Sequence, residues 1–355
     1  MSVLGLTIDY GPYGFMERFN PYHVANGSDD SELYNYADQP AICRWNCAKF
    51  GEALLPCLPV RLTSQALLEY DEEFARVYNA LMRAKLGLTV LEEPADASLA
   101  ADLLDVMAQC GSDFSGTFRS LADFPMPSHE GSGTSDGVPE GPGAGGAGAG
   151  AAAAAGAAAA AAAAVAGGGE AARVAGLSAA AAAATPAAAA AAPAGPASAQ
   201  LRHPDPAALL SYLLSGCARM AELALMAAPR MESSNLHMLS LLAHRDPALL
   251  GAMGLSTQDV AREMDKLQRY QAIKSQPELE REAADRAAWV GWLNRYGDRL
   301  KREAAAGATP SGRAAAMGGA NPRFVLRNWL AQRATASAEK GDFWEVNRLL
   351  ENECH

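Results

Sequence analysis

The residue in this sequence best placed for chemistry is Asp9. The apolar residues at every second position of Leu4–Ile8 are typical of a half-buried β-strand. Gly11 and Pro12 end that strand, because glycine permits unusual backbone angles and proline has no N–H to donate to a sheet. We therefore expect Asp9 to project rigidly from a strand end, which suits a metal ligand. An ordinary aspartate at a strand-to-turn junction is the alternative.

The triplet Asp9-Tyr10-Gly11 has a counterpart in protein kinases. Kinases hold the magnesium ion of ATP with an Asp-Phe-Gly triplet in this kind of position. Mg²⁺ prefers oxygen ligands and keeps several waters, so one or two carboxylates together with phosphates are enough to hold it. Asp9 is accordingly predicted to bind Mg²⁺ and, through the ion, ATP. With this one protein ligand the site would be weak.

Other polar clusters give weaker indications. Asp29 and Asp30 lie in a loop that begins at Asn26, but the periodic oxygen ligands and terminal glutamate of an EF-hand are missing. The loop is therefore predicted to be a turn. The six histidines are scattered, and none pairs with a serine or cysteine in a recognisable catalytic motif.

The cysteines also lack a metal-binding pattern. No two of the six form a Cys-x-x-Cys pair, and no Cys/His spacing matches a zinc site. Cys43 and Cys47 fall on a helical stripe with Phe50 and Leu54, at steps of four, three and four residues. This spacing predicts that both cysteines are small apolar core residues.

Several longer stretches resemble the selenoprotein O family of protein adenylyltransferase pseudokinases. The first is LGLTIDYGPYGFMERFNP, continued by NGSD and YADQPAICRWN. Then come MRAKLGL around Lys85, SDFSGTFRSL around Phe118 and NPRFVLRNWLAQRATASAEKGDFWEVNRLLEN from Asn321, in the order of the family. The resemblance covers roughly residues 1–124 and 285–352, with a looser match over 201–284.

This resemblance implies a function. Such proteins bind ATP in a kinase-like domain, in an orientation flipped relative to ordinary kinases, and transfer AMP to the Ser, Thr or Tyr hydroxyls of protein substrates. The family's catalytic Asp-Asn pair and its phosphate-binding residues are expected upstream of Met1, so no catalytic residue is assigned within this chain. We expect the chain to be truncated and inactive alone, without the family's C-terminal redox tail. Eukaryotic relatives are mitochondrial, which is the location expected if the source is a eukaryote.

The resemblance bears on the loop that follows Asp9 in two further ways. Relatives often carry a cysteine where this chain has Ala25, which places any redox lock built on that residue in doubt. Loop hydroxyls lie near the cleft of kinase-like folds, so Ser28, Tyr34 and Tyr36 are candidates for self-modification.

Composition limits the partners. The net charge of −11 argues against a nucleic-acid-binding face, which needs clustered lysine and arginine. The basic residues within Arg295–Arg302 alternate with acids and apolar residues, which predicts a solvated helix face. The sequence contains no run of eighteen varied apolar residues, which is the pattern that would predict a membrane span. We expect neither nucleic acid nor membrane as a partner.

The sequence predicts a mainly α fold in three parts. Residues 1–124 are predicted to be part of a kinase-like C-lobe with a short N-terminal β remnant. Residues 125–200 are an Ala/Gly/Pro-rich insertion, expected to be disordered and dispensable for folding, because such residues bury little surface. Residues 201–355 are predicted to be the helical remainder of the same domain.

Consecutive amphipathic patterns define the expected helices. The predicted spans are about 38–55, 64–86, 97–110, 112–121, 209–226, 257–272, 278–303, 321–341 and 342–351, with Asp38, Asn321 and Asp342 as N-caps. The residues predicted to face the core are Leu67, Tyr70, Phe74, Val77, Leu81, Leu99, Leu103, Val106, Cys110, Phe114, Phe118, Leu121, Trp289, Leu293, Tyr296, Leu300, Leu326, Trp329 and Leu330. Two functions stay open: an adenylyltransferase with its metal ligand at Asp9, and a non-catalytic helical interaction module.

Overall fold

The computed structural model of the protein describes residues 13–126 and 207–353, which form an assembly of α-helices. The helices are α1 (Gln39–Ala53), α2 (Val60–Leu86), α3 (Ala95–Cys110), α4 (Phe114–Ser120), α5 (Ala207–Ser215), α6 (Met220–Met226), α7 (Ser233–Arg245), α8 (Pro247–Ala252), α9 (Thr257–Ser275), α10 (Glu278–Ala305), α11 (Pro310–Ala320), α12 (Asn328–Ala338) and α13 (Trp344–Glu353). A 3₁₀ turn, Leu121–Asp123, follows α4.

The mainly α prediction is confirmed. In the described ranges the only β pairing consists of isolated bridges. The predicted strand Leu4–Ile8 and residues 127–200 of the predicted insertion lie outside the described residues, so both stay predictions.

The core is organised around α10. Trp289, Trp292, Leu293, Tyr296 and Leu300 are fully buried, as expected for apolar residues spaced three and four apart. Two of these side chains also satisfy backbone carbonyls of helices far away in sequence. Trp292 Nε1 donates to the carbonyl of Leu99 at 2.9 Å, and the Tyr296 hydroxyl donates to that of Leu86 at 2.7 Å. Residues before and after the 127–206 gap therefore share one core.

The helices that pack beside α10 confirm two further predicted stripes. Leu99, Leu103, Val106 and Cys110 of α3 are all buried. Phe118 and Leu121 are buried too, and Phe114 packs against the same core.

Arg299 corrects the prediction of a solvated basic face over Arg295–Arg302. The guanidinium of Arg299 is buried and bonds to Asp96 at 2.7 Å and to Glu303 at 2.7 Å. Glu303 in turn accepts the backbone N–H of Thr89 at 2.6 Å. The prediction holds for the flanking Arg295 and Arg302, which are exposed. It fails at Arg299 because that residue lies on the buried side of α10.

Helix α2 begins at Val60, earlier than predicted, and ends as predicted at Gly87. Gly87 has φ +69°, and a Cβ there would lie 2.6 Å from Arg313 Cγ, so glycine is required for both backbone and packing reasons. The predicted inward stripe is wrong at Phe74 and Leu81, which are exposed. Val77 is also exposed, and the residues of α2 that are buried are Met82 and Leu86.

Helix α1 has the predicted bounds but a different buried face. Cys43 and Cys47 are half-buried and Phe50 is exposed, so the predicted core stripe is wrong, and Ile42 is the buried residue. Asp38 occupies the N-cap position, but its side chain makes no capping hydrogen bond. It pairs instead with a distant arginine described below.

The C-terminal helices differ from prediction at their starts. Asn321 ends α11 and does not begin a helix, while α12 starts at Asn328 and leaves Trp329 half exposed. The predicted stop at Gly341 agrees with its φ of +85°. Asp342 lies one residue before the N-cap position of α13, which begins at Trp344, but its side chain still accepts the backbone N–H of Trp344 at 3.0 Å.

The apolar stretch 209–226, predicted as one helix, forms α5 and α6 with a bend of 60° between them. In the described part of the chain, no single helix has the length and composition to span a bilayer, and only this bent pair passes that test when taken together. Leu210, Leu213 and Leu223 of the pair are buried in the protein.

Candidate functional site

Asp9, the predicted ligand of Mg²⁺ and ATP, lies outside the described residues. The described chain starts four residues later, with an irregular segment that leads into α1. We call residues 13–38 the docked loop, because side chains along its length are attached to the helical body.

The first part of the docked loop is held against α4. The backbone N–H of Phe19 donates to the carbonyl of Ser112 at 2.8 Å, and the N–H of Phe114 donates to the carbonyl of Glu17 at 3.0 Å. The Phe19 ring is buried and stacks on that of Phe114, with centroids 5.6 Å apart. Backbone and side chain thus fix this part of the loop together.

Arg18 attaches the same part of the loop to the joint between α5 and α6. Its guanidinium bonds to the carboxylate of Glu222, with Nε 2.8 Å from one oxygen, and donates to the carbonyl of Gly216. A planar guanidinium suits this double contact, which a lysine would not reproduce.

The second part of the docked loop lies along α9. The Tyr22 hydroxyl donates to Asp265 at 2.9 Å, and burial raises the pKa of Tyr22 to about 12. Asp38 pairs with Arg262 of the same helix at 2.9 Å. This explains why Asp38 does not cap α1.

The central loop contact is an ion cluster. Lys266 of α9 binds Glu32 at 2.8 Å and Glu263 at 2.9 Å, and Lys266 and Glu263 are almost fully buried. Arg230 adds a second cation 3.1 Å from Glu32. Because buried charges are costly unless paired, these contacts define one position of the loop on α9.

The C-terminal segment completes the site. A Cβ on Gly14 would lie 3.1 Å from Asn328 Nδ2, so the start of α12 touches the loop shortly after Asp9. Arg327 binds Asp113, the N-cap of α4, at 2.6 Å.

Lys85 connects the end of α2 to the same segment. Its ammonium donates to the carbonyl of Ala320 at 3.0 Å and lies 5.2 Å from the centre of the Phe118 ring. Asn321 Nδ2 donates back to the carbonyl of Lys85 at 3.0 Å. This is why Asn321 closes α11 and does not open a helix. Burial lowers the pKa of Lys85.

The four stretches that carry the family resemblance therefore meet in space. The loop after Asp9, the Lys85 stretch, the Phe118 stretch and the Asn321 stretch contact one another directly. Sequence reasoning identified the stretches but missed Lys266 and Arg262. Their partners are more than 200 positions away, and no local pattern marks them.

The loop residues considered for chemistry have ordinary structural partners. Asp29 accepts the backbone N–H of Tyr34 at 2.8 Å and the hydroxyl of Ser31 at 2.9 Å, which agrees with the predicted turn. Of the candidate hydroxyls, Ser28 and Tyr34 are exposed, whereas Tyr36 packs between Phe19 and Phe114 and burial raises its pKa. Tyr36 is therefore poorly placed for modification.

No described histidine is hydrogen-bonded to a serine or cysteine side chain. His237 and His244 bond to backbone carbonyls of α7, and His23 Nε2 is buried without a partner. The described part of the site consequently positions residues 13–38, which follow Asp9 in the sequence. Within the described residues, no paired nucleophile and base is seen.

Comparison with known proteins identifies similar sequences. Residues 1–135 match the family model described as "Protein adenylyltransferase SelO". The chain is 32% identical to "Protein adenylyltransferase SelO, mitochondrial" of Homo sapiens over 355 residues, which cover 99% of this chain and 42% of the human protein. The mouse protein of that name is 33% identical over the same shares. "Protein nucleotidyltransferase YdiU" of Herminiimonas arsenicoxydans is 45% identical over 124 residues, which cover 35% of this chain and 25% of that protein.

The chain is thus similar to SelO proteins over nearly its whole length, and residues 1–135 match the model of that family. It spans about two fifths of the length of the human and mouse relatives it matches.

Proposed function

We propose that the chain is part of a protein adenylyltransferase, which transfers AMP from ATP to Ser, Thr or Tyr hydroxyls of protein substrates. In this proposal the chain supplies the metal ligand Asp9 and a helical body resembling a kinase C-lobe. The proposal rests on the names of the relatives and, in the structure, on the meeting of the four family stretches around the docked loop.

The docked loop supports this role because it is attached to the helical body from Gly14 onward, five residues after Asp9. Transfer of a nucleotidyl group depends mainly on positioning and on neutralising phosphate charge. A carboxylate can hold Mg²⁺ in line only if its own backbone is fixed. In this proposal the contacts of Gly14, Arg18 and Phe19 with three different helical regions would limit the movement of the chain that follows Asp9.

Asp9 is the residue that would hold the ion. Bound Mg²⁺ would neutralise charge on the ATP phosphates. The docked loop would keep the Asp9 backbone in place while protein substrates enter. We further propose a mitochondrial location if the source is a eukaryote, as the human and mouse relatives are named mitochondrial.

The test measures incorporation of labelled AMP from ATP with magnesium, using the protein expressed together with its upstream coding sequence. Asp9→Ala removes one carboxylate ligand and is expected to lower the rate by about 10²-fold or more, a loss of about 3 kcal/mol. Asp30→Ala is the matched control, since Asp30 is an exposed carboxylate of the docked loop. The control should retain its activity. An active Asp9→Ala enzyme would show that the metal ligand is misplaced.

One observation favours the second candidate function, a helical interaction module. Apolar side chains of α2 lie in solvent, among them Val60, Leu68 and Leu81, each at least 58% exposed. Absence of AMP transfer by the extended protein, together with a partner whose binding is lost in Leu68→Asp, would favour this function over the enzyme.

A further inference from the structure

A cluster of metal-binding side chains lies outside the site described above. Cys110 at the end of α3, Cys217 between α5 and α6, and Asp285 on α10 each place one ligand atom within 4.8 Å of the other two. Cys110 and Asp285 are buried, and Cys217 is half-buried. The function proposed above assigns no role to these three residues.

The donor set suits Zn²⁺. Two thiolates and a carboxylate oxygen are common zinc ligands, with bonds of about 2.3 Å to sulfur and 2.0–2.2 Å to oxygen. A tetrahedral ion with these bonds has its ligands roughly 3.5–3.8 Å apart. Ligand atoms already within 4.8 Å of one another need to approach by no more than about 1 Å to reach this geometry.

The surroundings orient the carboxylate and balance the charge. Arg281 Nη1 binds one oxygen of Asp285 at 2.6 Å, and Gln109 Nε2 lies 3.4 Å from the other. A divalent ion with two thiolates and one carboxylate carries a net charge of −1, which the neighbouring Arg281 neutralises. Such outer contacts hold the first ligands in orientation and are a regular part of metal sites.

Two buried polar side chains, those of Ser112 and Trp289, lie beside the Cys217 thiol. Ser112 Oγ and Trp289 Nε1 are buried without a hydrogen-bond partner. A metal-bound thiolate at Cys217 would give both orphaned donors an acceptor.

The cluster is reached from solvent. A cleft of about 420 Å³ lies between the docked loop, α3, α6, α9 and α10, and its lining includes Gln109, Arg281 and Asp285. The Asp285 side of the cluster therefore faces an entry path. A water molecule from this cleft can complete the fourth position of a tetrahedral ion.

We propose that Cys110, Cys217 and Asp285 form a Zn²⁺ site with its fourth position facing the cleft. The ion would connect α3, α10 and the α5–α6 joint. It would lie next to Ser112 and Gly216, the residues to which Phe19 and Arg18 of the docked loop are bonded.

The test titrates the reduced chain with Co²⁺, a coloured substitute for Zn²⁺. One equivalent should bind and produce thiolate-to-cobalt charge-transfer absorption, which added Zn²⁺ removes. Cys217→Ser and Asp285→Asn should weaken or abolish this signal, and Arg281→Met should reduce affinity about 10–100-fold. Cys47→Ser is the matched control, because Cys47 is equally half-buried but belongs to a different pair of neighbouring cysteines on α1. Its titration should match the unchanged protein.

Circular dichroism of each variant checks that the helices persist, so that a lost signal reports the ligand and not the fold. Absence of charge-transfer absorption at saturating Co²⁺ would overturn the proposal, as would a signal that survives Cys217→Ser. A Cys110–Cys217 disulfide in the isolated protein, with no cobalt–thiolate signal after reduction, would identify a redox pair in place of a metal site.

Discussion

Replacing Arg299 by methionine tests whether the buried charges of α10 depend on this one cation. The guanidinium makes bonds to Asp96 at 2.7 and 3.2 Å, to Glu303 at 2.7 Å and to the carbonyl of Leu91 at 2.9 Å. Asp96 and Glu303 are themselves buried, so Arg299→Met leaves two carboxylates inside the protein without their cation.

The expected cost follows from that burial. Removing one partner of a buried ion pair typically destabilises a protein by about 3–5 kcal/mol. At about 2–4 °C per kcal/mol for a domain of this size, the thermal midpoint should fall by roughly 6–20 °C. Arg302→Met is the matched control on the same helix. Arg302 is exposed and binds Glu93 at 2.9 Å, and an exposed pair contributes about 0–1 kcal/mol.

Urea unfolding followed by circular dichroism gives the free energies of both variants, with an unchanged urea slope confirming that the same transition is compared. Adding Asp96→Asn to Arg299→Met should restore part of the lost stability, since it removes one uncompensated charge. The reasoning is refuted if Arg299→Met costs no more than Arg302→Met.

Two predictions concern the docked loop. Burial lowers the pKa of His23 from 6.5, so the unfolded chain binds a proton at this residue more readily than the folded chain does. The unfolding free energy should therefore fall as pH drops below 6.5. His23→Gln should reduce that fall, whereas the control His237→Gln, at an exposed histidine, should not. Equal pH slopes in all three proteins would contradict this. Lys266→Met removes the cation between Glu32 and Glu263, so amide hydrogen exchange in residues 20–38 should become about tenfold faster or more, unlike in the exposed-pair control Arg76→Met. Unchanged protection would mean that other contacts hold the loop.

The buried faces of α3 and α10 could be predicted from the sequence because their apolar residues recur every three or four positions. On α10 and α3 the spacing of three and four residues identifies the buried side chains, since both helices lie inside the core. On α2 the same period fails. Its apolar residues at Phe74, Val77 and Leu81 are exposed, and periodicity carries no information about whether a neighbouring element covers the stripe.

Polar residues were harder to predict because their roles depend on distant partners. Asn321 before Pro322 has the local pattern of a helix start, yet its contacts with Lys85 make it a helix end. Asp38 lies at the N-cap position of α1, but its carboxylate pairs with Arg262 and does not cap the helix. The Cys110–Cys217–Asp285 cluster brings together residues with no motif spacing, so only the fold reveals it.

The hydrogen bond between Tyr296 and Leu86 joins residues 210 positions apart, and that separation has a consequence for how the chain is made. At about 5–20 residues per second, a ribosome needs roughly 10–40 s to add α10 after α2 is complete. Throughout that interval the buried faces of α2 and α3 lack the helix that covers them. The nascent chain therefore exposes Leu86, Leu103 and Met107 for far longer than a helix takes to form, until Trp292 and Tyr296 have been synthesised and can cover them.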